Sequence, residues 1–452
     1  SNRSIKLTEE EQLQYTKADS IYLAEHNPQY LDSMQREENK LGLGKIFLTG
    51  YSYSKYTDTS NTYWNFSPLL FSLGYNTVEG VYVDFRISKG LYEMDFNKNS
   101  YNALSLRYGI ANTNFCAGLN GYKNLDPMHA FGIGYKIGRF INQYNDEDPI
   151  NGLMNAYYTL MQKDNFMKIY QKDEAKAYLD YEIKNGLYTR ASLAYFNRTA
   201  MVNHSNYSLV DSKKDFTSNN PLNPSIDNPA FVGHQGAEIG FSVRYVHKQK
   251  YESMPGYKNV LGSKYPELYA NFKSGFGTTQ IKYQYQFLEL GLGKDLKLNA
   301  LGVFKFDMNV GAFMFAKNLQ FIDYKHFNGN QTIFLFNPQK QYNSAIDSRN
   351  RISGFHALDY YAFSTNQWFV ETHLMHNFQG LVISKIPLIR RLKAREIVGI
   401  NNLITPQVSY NEIYFGLTNI LNFFRIDVGT ASNSTNPKQD WFYRVGVSIN
   451  IN

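Results

Sequence analysis

The residues of this 452-residue chain with the clearest capacity for chemistry are Glu371, His373 and His376, in the run Glu371-Thr372-His373-Leu374-Met375-His376. A carboxylate and two imidazoles are the donor types of a metal site, or of a base with its orienting partner. The spacing argues against both. In a strand, successive side chains point to opposite faces, so Glu371 and His373 share a face while His376 lies on the other. The three converge on one ion only across a bulge. The expectation is a hydrogen-bonded polar pair, Glu371 with His373, and no metal. Nine histidines are present, but no nucleophile motif orders them, so no catalytic residue and no cofactor is assigned and the chain is read as a non-enzyme. Its single cysteine, Cys116, excludes an intrachain disulfide and reads as a small packed apolar residue.

A second cluster is basic: Lys385, Arg390, Arg391, Lys393 and Arg395, interleaved with Ile386, Leu388, Ile389 and Leu392. It reads as a periplasmic turn that either seals the end of a larger structure or grips anionic lipid headgroups, at about 1 kcal/mol per cation. No aromatic residues accompany it, so nucleic acid is not an expected partner. The net charge of +7 is dispersed along the chain.

The elements that must carry these residues are strands. Val81, Val83, Phe85 and Ile87 alternate with Tyr82, Asp84, Arg86 and Ser88; Leu104, Leu106 and Tyr108 alternate with Ser105, Arg107 and Gly109; Ile239, Phe241, Val243 and Tyr245 alternate with Glu238, Gly240, Ser242 and Arg244. At the C-terminus Trp441, Tyr443, Val445, Val447, Ile449 and Ile451 oppose Arg444, Gly446, Ser448, Asn450 and Asn452, with Phe442 out of phase. One face is apolar and the other is polar, with arginines such as Arg86, Arg107, Arg244 and Arg444.

A soluble sandwich has the same period, but the runs reach the roughly 9 to 11 residues of a membrane-crossing strand. The 37 tyrosines and 32 phenylalanines suit interfacial girdles. A mean hydropathy of -0.44 does not oppose this, because only alternate residues face lipid. No run reaches the roughly 18 apolar residues of a membrane helix. The predicted fold is all-β, a transmembrane antiparallel barrel in the bacterial outer membrane, with about sixteen strands in a range of roughly 14 to 18.

Two helical interruptions are expected. Residues 1–44 form a periplasmic helical arm, with Thr8 and Glu11 at capping-box spacing, before a barrel over 45–452. Whether Lys45 to Tyr53 is a strand is open. A helical insertion near 149–172 starts at Asp148-Pro149 and carries Leu153, Met154, Tyr157, Leu160 and Met161. Asn185-Gly186 marks a tight hairpin. The polar stretches Asn197 to Gly236 and Asn318 to Gly354 read as long extracellular loops. The chain opens on Ser1-Asn2-Arg3 without an export signal, which reads as a mature fragment.

Several motifs together carry a resemblance: Leu7-Thr8-Glu9-Glu10-Glu11 with Tyr15 and Asp19-Ser20, Tyr75-Asn76-Thr77-Val78-Glu79-Gly80, Asn185-Gly186-Leu187, Gly354-Phe355, and Ile386-Pro387-Leu388 through Arg395-Glu396. In this order they resemble a family of large outer-membrane barrels of unknown function, typical of Bacteroidota and usually carrying an N-terminal carboxypeptidase-regulatory-like domain. That family is distantly similar to assembly and translocation barrels of the BamA and TamA type, which use a lumenal loop with a Val-Arg-Gly-Phe type motif. The nearest match here is Arg351-Ile352-Ser353-Gly354-Phe355, where arginine and glycine are not adjacent.

The resemblance implies a candidate lumenal loop at Arg351, Gly354 and Phe355, and partners among periplasmic proteins, lipoproteins and outer-membrane lipid or lipopolysaccharide. The expected function is assistance in assembling or translocating outer-membrane or surface proteins. A passive solute pore and a platform for surface lipoproteins are the alternatives. A porin closes with a full ladder between its first and last strands, whereas an assembly barrel is weakly paired there, so the strand of Tyr443, Val445, Val447, Ile449 and Ile451 is the place to look.

Overall fold

Among the described residues, period-two alternation is realised as one sheet of nineteen strands, antiparallel at every pairing but one, and an additional two-stranded hairpin. The computed structural model describes residues 14, 16–17, 20, 28–57, 59–93, 98–210, 213–278, 282–336, 354–381, 383–385, 390–435 and 440–448. Helix α1 (Pro28–Glu38) and a helical turn at Lys45–Thr49 precede the strands. These are β1 (Tyr51–Tyr56), β2 (Ser60–Phe66), β3 (Leu73–Asn76), β4 (Gly80–Glu93), β5 (Lys98–Gly109), β6 (Asn114–Asp126) and β7 (Phe131–Gln143). After helix α2 (Gly152–Tyr157) come β8 (Ile169–Lys184), β9 (Leu187–Ala200), β10 (His234–Val246), the hairpin β11 (Lys250–Met254) and β12 (Tyr257–Gly262), β13 (Glu267–Gly277), β14 (Gln284–Lys297) and β15 (Val303–Lys317). The last are β16 (Phe334–Phe336), β17 (Trp368–Asn377), β18 (Arg395–Ile404), β19 (Ser409–Ile420), β20 (Phe424–Asn433) and β21 (Asp440–Ser448).

From β4 onward each long strand pairs with the next long one, so the chain runs up and down. One end of the sheet has connections such as 127–130, 185–186 and 421–423 and none longer than 247–266; the other has the three longest, 144–168, 201–233 and 318–367, beside short ones such as 405–408. The predicted hairpin lies at the short end, where Gly186 takes a φ of 81°. The sheet wraps around its own long connections. Phe196 of β9, Phe287 of β14 and Phe442 of β21 all join one buried cluster with Phe327, Phe355 and Leu358 from the 318–367 connection.

The expected parity holds. Val81, Phe115, Ile137, Leu193, Phe241, Ile413 and Trp441 are exposed on the outer face, while Tyr82, Cys116, Glu412 and Asp427 are buried on the inner face. Phe442, out of phase with its neighbours, points inward, where its ring meets His356 edge-on. Inward arginines are held by carboxylates and carbonyls. Arg107 bonds Glu79 and, at 3.0 Å, Asp84; Arg244 bonds Glu267 at 2.9 Å.

Two expectations need correction, and one open point is decided. The helical insertion expected near 149–172 spans only Gly152–Tyr157 with a wider turn at Tyr158–Gln162, because β8 already begins at Ile169. Its N-cap is Asn151, whose side chain accepts from Leu153 N, and not Asp148. Lys45 to Tyr53 is divided, helical through Thr49 and strand from Tyr51. No helix among the described residues is long and apolar enough to cross a membrane.

Candidate functional site

The inner faces of β17, β18 and β19 place Glu371 and His373, Asn401, and Tyr410 with Glu412 side by side, because β17 and β18 pair His373 with Asn401 and β18 and β19 pair Asn401 with Glu412. All are buried. Nε2 of His373 lies 3.0 Å from Glu371 Oε1, and its Nδ1 lies 2.9 Å from Asn401 Oδ1. His376, on the opposite face, is half-buried and bonds Leu301 O instead.

The 318–367 connection folds onto this wall. Its returning limb aims three consecutive backbone amides at one carboxylate: His356 N and Ala357 N donate to Glu412 at 2.8 and 2.7 Å, and Leu358 N at 3.2 Å. Asn401 Nδ2 and the Tyr410 hydroxyl add bonds of 2.8 and 2.7 Å. A buried carboxylate is stable only when its lone pairs are filled, and here five donors fill them. Gly354 begins the limb at a φ of 61°, where a Cβ would lie 2.6 Å from Asn328 O. Phe355 then packs between His373 and Tyr410, with ring centroids 4.8 and 5.8 Å away.

The last strand holds the same loop from the other side. Arg444 donates through Nε to His356 O and through Nη2 to Asn330 O, at 3.0 Å, so one guanidinium ties both limbs. Burial, with the charges of Arg425, His373 and Arg444 around it, holds the His356 imidazole well below its usual range, so its 3.4 Å approach to Asp427 is not an ion pair. Further out, the His326 ring bonds Ser364 through Nδ1 at 2.8 Å and packs against Phe321 and Tyr361. Burial pushes it down to about 4.

The outer edge of β21 carries the remaining feature. Among the described residues β21 ladders with β20, and Gly446–Ser448 pair in parallel with β16 from the same loop. It makes no ladder with β1, β2 or β3. On the opposite side of this seam β1, among the described residues, pairs with β2 alone. Its outer edge is met by Asn39, whose side-chain oxygen and nitrogen bond Ser54 N and Ser54 O, both at 2.7 Å.

The structure therefore brings Gly354, Phe355, Glu371 and His373 together, and sets Tyr443, Val445 and Val447 on β21, with Tyr443 and Val445 exposed on the outer face. Arg351, Ile449 and Ile451 lie outside the described residues. The basic turn lies apart, at the short-connection end, with Lys385, Arg390, Arg391, Lys393 and Arg395 all exposed. Sequence reasoning missed Glu412. Its only signal was a carboxylate on the inward parity between Tyr410 and Tyr414.

A model of the C-terminal domain of DUF5686, a family of unknown function, matches residues 44–417. The chain belongs to the DUF5686 family. Among solved structures, the DUF5686 chain is similar to BamA from Haemophilus ducreyi lacking POTRA domains 1-3, at 10% identity and a TM-score of 0.42, over 92% of this chain and 82% of that one. No curated protein matches it.

Two outcomes test the docked loop of this DUF5686 chain. Glu412→Gln turns an amide toward backbone donors, at a cost of about 1.5–3 kcal/mol for each charged bond lost. In a Cys116→Ser background, a cysteine at Ala357 should then react at least about tenfold faster with a thiol reagent. Second, a released His326 titrates near 6.5 and the docked one near 4. Between these values the released state binds the extra proton, so docking is full above 6.5 and weakens as pH falls toward 4. The thermal midpoint should fall from pH 7 to pH 5, and less in His326→Asn, which keeps a partner for Ser364.

Proposed function

We propose that this DUF5686 chain is a sixteen-stranded outer-membrane β-barrel that assists the assembly or translocation of outer-membrane or surface proteins, acting with periplasmic partners. The count takes β2 and β3 as one interrupted strand beside β4–β10, β13–β15 and β17–β21, and sets apart the six-residue β1, which adds a further strand beside β2 at the seam. A membrane setting is supported by the outer face, where exposed apolar side chains recur from strand to strand. Long connections at one end and short turns at the other favour the extracellular and periplasmic sides respectively, as in outer-membrane barrels.

The observation that carries the functional reading is the seam. Among the described residues this strand ladders with its neighbour on one side and with a three-residue parallel segment on the other, and an edge covered in that way is one another strand could pair with. A barrel built only to conduct solutes gains nothing from such an edge, and here the interior is occupied by the loop bound at Glu412. No catalytic role is assigned; the Glu371–His373 pair serves to position Asn401 and Phe355.

Depletion of the protein, followed by quantification of the outer-membrane proteome and of solute uptake, tests this reading. The expected result is loss of several barrel proteins or surface lipoproteins. An unchanged proteome with altered uptake would mean a pore.

A further inference from the structure

Two adjoining depressions, shallow and open to the surroundings, lie on the outer face of β7, β8 and β9. Together they form a shallow trough. Its floor is Ala175 and Ala177 on β8, which stand in register with Ile137 and Tyr135 on one side and Tyr195 and Leu193 on the other. The large side chains make walls, and the alanines leave the space between them empty.

The upper end of the trough is polar. Arg139, Asp173 and Asn197 form one row across the three strands. Nε and Nη2 of Arg139 bond the two oxygens of Asp173 at 2.7 and 3.3 Å, which fixes the guanidinium plane, and Nη1 has no partner among the described residues. Both side chains remain partly exposed, at 44% and 34%. The ladder between β6 and β7 ends one residue below, at Gly118 and Gly138, so the wall opens into a notch beside Arg139.

The dimensions match one leaflet. From Asp173 to Leu179 the chain advances about 20 Å at roughly 3.3 Å per residue. At the usual tilt of about 40° that rises about 15 Å, half of a hydrocarbon core of roughly 30 Å. The polar row lies toward the long-connection end, the side of the outer leaflet.

We infer that this trough is a binding site for a phosphorylated, acylated glycolipid of the outer leaflet. An acyl chain lies over Ala175 and Ala177, a phosphate is bonded by Arg139, and the Asn197 amide meets sugar hydroxyls. The row of guanidinium, carboxylate and amide favours a phosphosugar over a glycerophospholipid, whose headgroup offers less for the amide to bond. The inference rests on the membrane-barrel reading. Failure of that reading would appear as wild-type chain that does not enter a bilayer, whereas failure of the site would appear as inserted chain without lipid preference.

The test uses the whole chain in phosphatidylcholine nanodiscs, with binding of lipid A and of phosphatidylglycerol measured by native mass spectrometry. Wild type should retain lipid A in preference to phosphatidylglycerol. Arg139→Gln, by losing a charged bond, should weaken retention about tenfold. Ala177→Leu fills the trough and should weaken it too, without touching the polar row. Asp173→Asn frees the guanidinium and should strengthen it, which a variant that merely misfolds cannot do. Equal retention of the two lipids by wild type, or lipid A retention unmoved by all three substitutions, would overturn the site.

Discussion

In the proposed membrane setting a backbone amide has no water to bond, so the sheet must close on itself or cover its edges with its own chain. Along the described part of the seam it does the second. Asn39 imitates a strand against Ser54 of β1, and Phe334–Phe336 supply a short parallel partner for Gly446–Ser448 of β21. A side-chain amide and a three-residue ladder are small covers compared with the long antiparallel pairings elsewhere in the sheet.

The loop that covers β21 is the one bound at Glu412. The carboxylate fixes the returning limb through His356, Ala357 and Leu358, while Arg444 of β21 bonds the carbonyls of Asn330 and His356. Loop and last strand are thus one mechanical unit. Glu371 and His373 stand behind it: by engaging Asn401 Oδ1 they leave its amide nitrogen directed at Glu412. The packing of Phe355 on His373 adds an apolar contact to a polar anchor, and the two together keep the loop in the interior.

What could be read beforehand was whatever local periodicity determines. Parity assigned Phe241 and Trp441 to the outer face and Arg107 and Arg244 to the inner one, because a strand allows a side chain only two directions. The Glu371–His373 pair followed from their separation by two. The misfit of Phe442 marked a contact with the loop, a reason no local pattern contains. Glu412 was hidden because three of its five donors come from a limb more than fifty residues earlier in the chain. The insertion was overextended because apolar spacing after Gln162 does not distinguish a helix from the approach to β8. The β16 pairing had no signal either, since three residues are too few to show a period.

The central claim is that the last strand is covered by its own loop and not laddered to the first. Disulfides form only when Cα atoms lie about 4.4–6.8 Å apart, which makes paired cysteines a direct ruler of strand pairing. In a Cys116→Ser background, oxidation in membranes should link Leu335→Cys to Val447→Cys, which are partners in the β16–β21 register. It should leave Tyr53→Cys on β1 and Val445→Cys on β21 unlinked. A bond between positions 53 and 445, with none between 335 and 447, would mean that the sheet closes with an ordinary ladder and would contradict the account.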